Sequence, residues 1–353
     1  MGPPEKPFQP YLSLHEGPEG PGDKRPEWMQ VLKDCDAIGK LKGKTVLITG
    51  ASAGLGVETA KALHEAGATC FLQARDMKRL DGVIEDIVNN AQYNKDGPKP
   101  QAIEIHLDSL DSVRKGAEDF KEKSGGKLNI LINNAGVMAA PYGTTKDGFE
   151  TQIGVNHFAH FLLFELLKPL LLSTAKESGT TSRVINLSSA GHRMGSVQFS
   201  NADELAAWNK GENYDKWASY GQAKTANIWM ANSIDRKYGS QNLHATSVHP
   251  GGIFTELVRH LTAEDMKRFQ TDAFSKQLKN PAQGAATTVW ATVSDHFEGG
   301  HGGQYLADIG ENAAMRPEDT DGPASGYAKH AYDEEAEEKL WKLSAQTVGV
   351  SED

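Results

Sequence analysis

Residues 44–56, Lys-Thr-Val-Leu-Ile-Thr-Gly-Ala-Ser-Ala-Gly-Leu-Gly, constrain the fold more than any other stretch of the chain. An apolar, β-branched run drives straight into closely spaced glycines and then into a helical pattern. Gly50, Gly54 and Gly56 let the backbone turn sharply and approach a pyrophosphate, which would rest on the positive N-terminal end of the helix starting near Gly56. The spacing is GxxxGxG, not the commoner GxGxxG, and a glycine loop that merely caps a helix would use the same residues. The turn therefore needs support from the rest of the chain.

That support comes from alternation. Apolar runs at 45–49, 69–74, 102–107, 128–132, 183–188, 244–248 and 304–306 read as strands, and amphipathic or apolar stretches at 56–66, 78–91, 110–123, 148–172, 220–238 and 282–293 read as helices. Seven strands in this order predict a single α/β domain, a doubly wound parallel sheet with helices on both faces and ligands outside the carboxyl ends of the strands. Three further motifs fall at such ends: Asn133-Asn134-Ala135-Gly136, Ser188-Ser189 and Pro250-Gly251. The expected organisation is an N-terminal extension (1–43), a dinucleotide-binding catalytic domain (44–310) with an insert at 190–219 and a lid at 254–280, and a C-terminal tail and helix (311–353). Residues 1–25, rich in Pro, Gly and charge, are expected to be poorly ordered or draped on the surface.

Composition excludes more than it selects. A net charge of −10 argues against a nucleic-acid backbone as partner. Cys35 and Cys70 do not suggest a disulfide framework. The start Met-Gly-Pro-Pro-Glu-Lys lacks the apolar core of a secretion signal, and the longest apolar run, 158–172, is broken by Glu165, Lys168 and Pro169, so a buried helix is expected and no membrane span. A cytoplasmic location follows by default. No metal site is expected: His157 and His160 lack an HExxH context, and no G-x-S-x-G elbow suggests a hydrolase.

The chemistry rests on Tyr220 and Lys224, four residues apart on one helix face, where a nearby ammonium favours phenolate and is expected to lower the tyrosine pKa toward neutrality. Tyr142 and Lys146 share that spacing but lie in a Gly/Thr loop. Taken in order, the glycine turn, Asn133-Asn-Ala-Gly, Ser188-Ser, Tyr220 with Lys224, and Pro250-Gly resemble the short-chain dehydrogenase/reductases over about residues 40–310. The segment Thr145-Lys-Asp-Gly-Phe-Glu, followed by Val155-Asn-His-Phe-Ala-His-Phe, looks like the retinol-dehydrogenase-like branch and its fungal members, as does Leu340-Trp-Lys-Leu-Ser.

The resemblance implies a Rossmann fold and a set of roles. Ser189 would hydrogen-bond the substrate carbonyl, with Ser188 as the alternative; Tyr220 would give or take the proton; Lys224 would also hold the nicotinamide ribose; Asn156 would complete the tetrad through a water. Around the cofactor it places Gly50, Ser52, Gly54, Leu55 and Gly56 at the phosphates, Asn134 and Gly136 beside the adenosine, and Pro250, Ile253 and Thr255 at the nicotinamide. Asp108 would meet the adenine, although an ungapped reading puts His106 there. Where the second strand ends, Arg75, supported by Lys78 or Arg79, favours a 2′-phosphate and hence NADP(H) over NAD.

The function expected is an NADP(H)-dependent oxidoreductase that moves a hydride between nicotinamide and a carbonyl or alcohol of an apolar small molecule, in the reducing direction. Steroids, retinoids, polyketides and fungal secondary metabolites all suit it. Tyr220 follows Ser189 by 31 positions, and the insert carries His192, Met194, Phe199, Trp208 and Trp217, while Leu257, Leu261, Met266 and Phe269 recur in the lid. A wide apolar pocket mouth is expected. The competing readings are a catalytically silent NADP-binding regulator or scaffold, and an epimerase or dehydratase of the extended relatives, which would need a longer C-terminal domain. A homodimer through helices 148–172 and 220–238 is expected unless the terminal segments cover those faces.

Overall fold

A computed structural model describes residues 6–315 and 326–351. Residues 1–5 of the extension, and 316–325, 352 and 353 of the C-terminal segment, lie outside the described residues. Eight strands form one sheet in the order β3-β2-β1-β4-β5-β6-β7-β8. β1 (Thr45–Ile48), β2 (Thr69–Ala74), β3 (Gln101–Glu104), β4 (Ile130–Asn133), β5 (Ser182–Leu187), β6 (Leu243–His249) and β7 (Gln304–Ala307) are parallel neighbours. The expected seven strands are joined by an eighth, β8 (Gly310–Glu311), which pairs antiparallel with β7 through two residues, too short for any periodicity to mark. Strand order reverses between β1 and β4, the point where a doubly wound sheet opens a crevice.

Alternate residues of the central strands go to opposite faces. Leu47, Phe71, Leu131 and Val184 join one core with Phe158, Phe161, Phe164 and Trp341; Val46, Ile48, Leu72 and Ile132 join the other with Val31, Leu63, Val289 and Trp290. The helix Thr151–Ser178 is the one described helix long and apolar enough to cross a bilayer. It instead lies on the sheet, with Phe158, Phe161 and Phe164 buried.

The terminal segments are part of this packing. The helix Trp28–Asp34 seats Val31 and Leu32, both without exposed surface, in the second core. Upstream, residues 6–25 drape over the molecule: Phe8 N donates to Glu311 Oε2 and Phe8 O accepts from Glu311 N, each at 2.9 Å, which closes the β8 edge. At the other end, the helix Glu334–Val348 lies on the two long helices. Trp341 meets Phe161, Phe164 and Tyr238, Ser344 bonds His157 Nε2, and Glu337 pairs with Arg236. The faces expected to pair two copies are thus covered by the chain's own C-terminal helix. Leu32→Ala should cost about 3 kcal/mol through the cavity it leaves and lower the thermal midpoint by several degrees in a calorimetric scan; an unchanged midpoint would detach this helix from the cooperative core.

Candidate active site

The C-terminal ends of β1, β4, β5 and β6 meet at one crevice. After β1 the chain turns through Gly50, at φ +67°, and Gly54, at φ +59°, into the helix Leu55–Glu65. A Cβ at Gly56 would stand 2.3 Å from Gly50 O, and one at Gly50 2.8 Å from Ala135 Cα, so neither position admits a side chain unless the turn itself shifts. Gly54 supplies no side-chain cap, leaving the first N–H groups of this helix free of an internal side-chain acceptor. Gln73 ties the turn to β2, its Oε1 accepting from Gly50 N at 3.0 Å.

A second group of residues lies across the crevice. Ser189, Tyr220 and Lys224 line a cavity of about 740 Å³. The Ser188 hydroxyl, by contrast, is used inside the fold, donating to Lys224 O at 2.9 Å. Tyr220 and Lys224 project from the helix Lys216–Tyr238, which starts on an Asp215 cap. Lys224 Nζ donates to Leu187 O at 2.9 Å and sits 5.7 Å from the Tyr220 ring centroid. Asn156 lies in a π-helical turn, Gly154–Phe158, within its long helix, a distortion that recurs at functional sites. Its Oδ1 accepts from Val137 N at 2.8 Å and its Nδ2 donates to Val137 O at 2.9 Å. A Cβ placed on Gly136 would be 3.2 Å from Asn156 Oδ1 and 3.5 Å from Lys224 Nζ, so the small residue keeps these two groups close.

The walls of the large cavity are apolar: Met194 and Trp217 from the insert, Leu257, Leu261, Phe269 and Phe274 from the lid. His192, Phe199, Trp208 and Met266 do not line it; the His192 ring lies tilted against Tyr305, 5.0 Å away, Phe199 belongs to the first core and Trp208 packs against it. A second cavity, about 580 Å³, adjoins the first through Leu55, Asn134, Gly136, Thr255 and Leu257. It is lined by Gly50, Ser52, Gly54, Arg75, His106 and Asp108, among others. Pro250 and Ile253 line the first cavity, and Thr255 packs against Gly54. Tyr142 lies outside both cavities, exposed, with its hydroxyl on Asn209 O.

Comparison with known proteins decides the family. A short chain dehydrogenase family model matches residues 44–201. The chain is 42% identical to the short-chain dehydrogenase/reductase prx1 of Penicillium roqueforti over 94% of this chain and 93% of that protein. The chain belongs to the short-chain dehydrogenase/reductase family. It is also 33% identical to human retinol dehydrogenase 11, over 90% of this chain and 89% of that protein. Among solved structures, an uncharacterized protein from Mycobacterium paratuberculosis superposes with a TM-score of 0.64 at 29% identity, covering 89% and 96% of the two chains.

Short-chain dehydrogenase/reductases are oxidoreductases that bind nicotinamide dinucleotides, and the uncapped helix behind a cradle too tight for side chains fits such a group. One electrostatic expectation reverses. Burial pushes the Tyr220 phenol up to about 12, with only the Ser189 hydrogen bond pulling it down, and the same burial brings Lys224 down to about 8. Desolvation dominates at both groups, and the lysine's bonded partner is Leu187 O and not the phenol. Both candidate adenine residues, His106 and Asp108, face the second cavity; His106 lies two residues past β3 and its side chain pairs with Glu104 at 3.1 Å. Arg79 turns to Glu256, and Lys78 does not line the cleft.

The sequence reading missed Arg259, Asp265 and Arg25, which reach the site's periphery from the lid and the extension and carry no local signature. Asp265 takes bonds from Lys216 Nζ and, at 3.1 Å, from Trp217 Nε1. Arg25, buried, donates to Gln277 O at 2.8 Å and to Leu278 O at the lid's far end.

Lys224→Met removes a buried charge while Leu187 O keeps the Asn227 Nδ2 bond. Because the folded pKa lies below the usual lysine value, the charge penalises the fold below about pH 8 and the penalty fades as pH rises toward 10. At pH 7 the variant should gain roughly 2–3 kcal/mol, read as a higher thermal midpoint. A midpoint that falls would show that the ammonium stabilises the fold.

Proposed function

We propose that this chain is an NADP(H)-dependent reductase of an apolar carbonyl compound, acting in the cytoplasm on a substrate of secondary metabolism. The observation that carries this reading is the meeting of Ser189, Tyr220 and Lys224 in the floor of an apolar cavity that opens onto the glycine cradle. Arg75, at the end of β2 in the adjoining cleft, supports the phosphorylated cofactor, since a guanidinium fork suits a 2′-phosphate.

Gly50, Gly54, Arg75 and Thr255 would hold a nicotinamide dinucleotide, which would supply the hydride for the carbonyl carbon. The chain's residues deal with the oxygen. Ser189 donates a hydrogen bond to it and holds the carbonyl beside Tyr220. The Tyr220 hydroxyl, kept protonated by burial throughout the neutral range, delivers its proton to the oxygen as charge develops there. Lys224, cationic below about pH 8, stabilises the phenolate left behind. Met194, Trp217 and the lid leucines exclude water and favour an apolar substrate body.

Calorimetry with NADPH and NADH, followed by NADPH oxidation against a carbonyl panel, tests the reading. Tyr220→Phe should lower turnover by about 10³ while leaving NADPH affinity nearly unchanged. Reductive turnover should be level from about pH 6 to 7.5 and fall above about pH 8 as Lys224 loses its proton. NADH preference would remove the NADP assignment, and tight NADPH binding without Tyr220-dependent turnover would favour the regulator or scaffold.

A further inference from the structure

The cleft beside β2 is lined by three guanidinium groups and three carboxylates, Asp76, Asp108 and Glu256, of which only Glu256 is paired with one of the three arginines. Arg75 follows β2; Arg79 lies on the helix Met77–Asn90; Glu256 and Arg259 belong to the first turn of the lid, Glu256–His260. Arg79 grips Glu256 with both arms of its fork, at 2.9 and 2.6 Å, which neutralises both and pins the lid's first turn to the adenosine side of the sheet. Two cations are left over. Among the described residues neither Arg75 nor Arg259 forms an ion pair; Arg259 Nη1 donates only to Glu256 O, at 3.1 Å. Both are exposed at the same cleft. Burial, and after it the positive charge of Arg75, holds the Arg259 guanidinium below its usual range, so the two groups oppose one another across the space. Like charges that face each other without an anion weaken the local structure, and a dianion between them would reverse the sign.

We propose that Arg259 is a second ligand for the cofactor's 2′-phosphate, facing Arg75 across the cleft, so that the phosphate ties down the first turn of the substrate lid. This rests on the NADP(H) reading above. The same turn carries Leu257 and Val258, and Leu261 follows it; all three line the substrate cavity. The phosphate therefore positions one wall of the substrate pocket as well as selecting the cofactor.

Titration calorimetry with NADPH, NADH, adenosine 2′,5′-bisphosphate and 5′-AMP on wild type, Arg75→Ala, Arg259→Ala and Arg259→Lys tests this, because the adenosine probes report on the cleft without turnover. Arg259→Ala should weaken NADPH and the bisphosphate about ten- to hundredfold, the loss of one charge-assisted contact, and shift NADH and 5′-AMP less than about twofold. Arg259→Lys should recover part of the loss. Amide exchange in 256–261 should slow with the bisphosphate in wild type and not in Arg259→Ala. Bisphosphate affinity retained in Arg259→Ala but lost in Arg75→Ala would overturn the role of Arg259 and leave the NADP(H) reading standing. Equal losses for NADPH and NADH in Arg259→Ala would overturn it as a phosphate ligand. Wild-type protein that binds 5′-AMP as tightly as the bisphosphate would overturn the NADP(H) reading and this proposal together.

Discussion

The Thr49 hydroxyl, buried just past the end of β1, accepts hydrogen bonds from Asn134 N at 2.9 Å and Ala135 N at 3.0 Å, and lies 2.9 Å from His160 Nε2. A hydroxyl has one proton and two lone pairs. With both lone pairs taken, its proton goes to His160 Nε2, at a shorter distance than the 3.4 Å to Ile132 O. His160 must then be neutral and carry its proton on Nδ1, which donates to Asn156 O at 3.1 Å. Burial agrees, holding His160 down near 4. One threonine thus sets the loop after β4 at the cofactor crevice and, through one imidazole, the π-helical turn that carries Asn156. The loop after β4, beside the glycine cradle, and the turn that carries Asn156 are parts of one bonded unit.

The lid is fastened unevenly along its length. Its first turn is held by the Arg79–Glu256 pair, half-exposed and of the kind that contributes about 0–1 kcal/mol. Its middle is held by Asp265, whose carboxyl the Lys216 and Thr262 hydrogen bonds keep far below the usual range despite some burial. Its far end is gripped by Arg25, whose guanidinium is buried against the carbonyls of residues 276–278 and Asp23. Removing a partner from a buried charged network costs several kcal/mol, whereas breaking the exposed pair costs little. Attachment strengthens from the cofactor side toward the N-terminal extension, which makes that extension a structural support for the substrate pocket.

What could be read from the chain was local. The glycine turn, the strand ends and the Tyr220–Lys224 spacing depend on residues adjacent in sequence or one helical turn apart, and the main sheet strands and long helices lie within a few residues of where the pattern puts them. What could not be read was long-range. The helix Trp28–Asp34 follows a Pro- and Gly-rich stretch that reads as a tail; only the apolar groove it fills reveals it. β8 is two residues of edge pairing. Arg259 lies about 180 positions from Arg75 in sequence, and Arg79, which a local reading assigns to the phosphate, is claimed by Glu256. Both Ser188 and Ser189 line the cavity, and how the fold uses them is visible only in three dimensions: Ser188 donates its hydroxyl to Lys224 O, while Ser189 Oγ accepts from Gly191 N at 3.0 Å.

The reversed electrostatics at Tyr220 bear on its resting form. A sequence shows that a lysine is near a tyrosine; it does not show how deeply both are desolvated. Here burial acts on each group against its charged form, raising the phenol and depressing the ammonium, and the four-unit gap left between about 12 and about 8 still keeps the proton on the tyrosine. At neutral pH a phenol of that strength is ionised in only about one molecule in 10⁵. Reduction leaves that phenolate behind and oxidation starts from it, so the cost enters both directions through their shared transition state. A buried Tyr220 with Lys224 tied to Leu187 O therefore rests as a protonated phenol at neutral pH, and whatever ionises it must offset the burial of both groups.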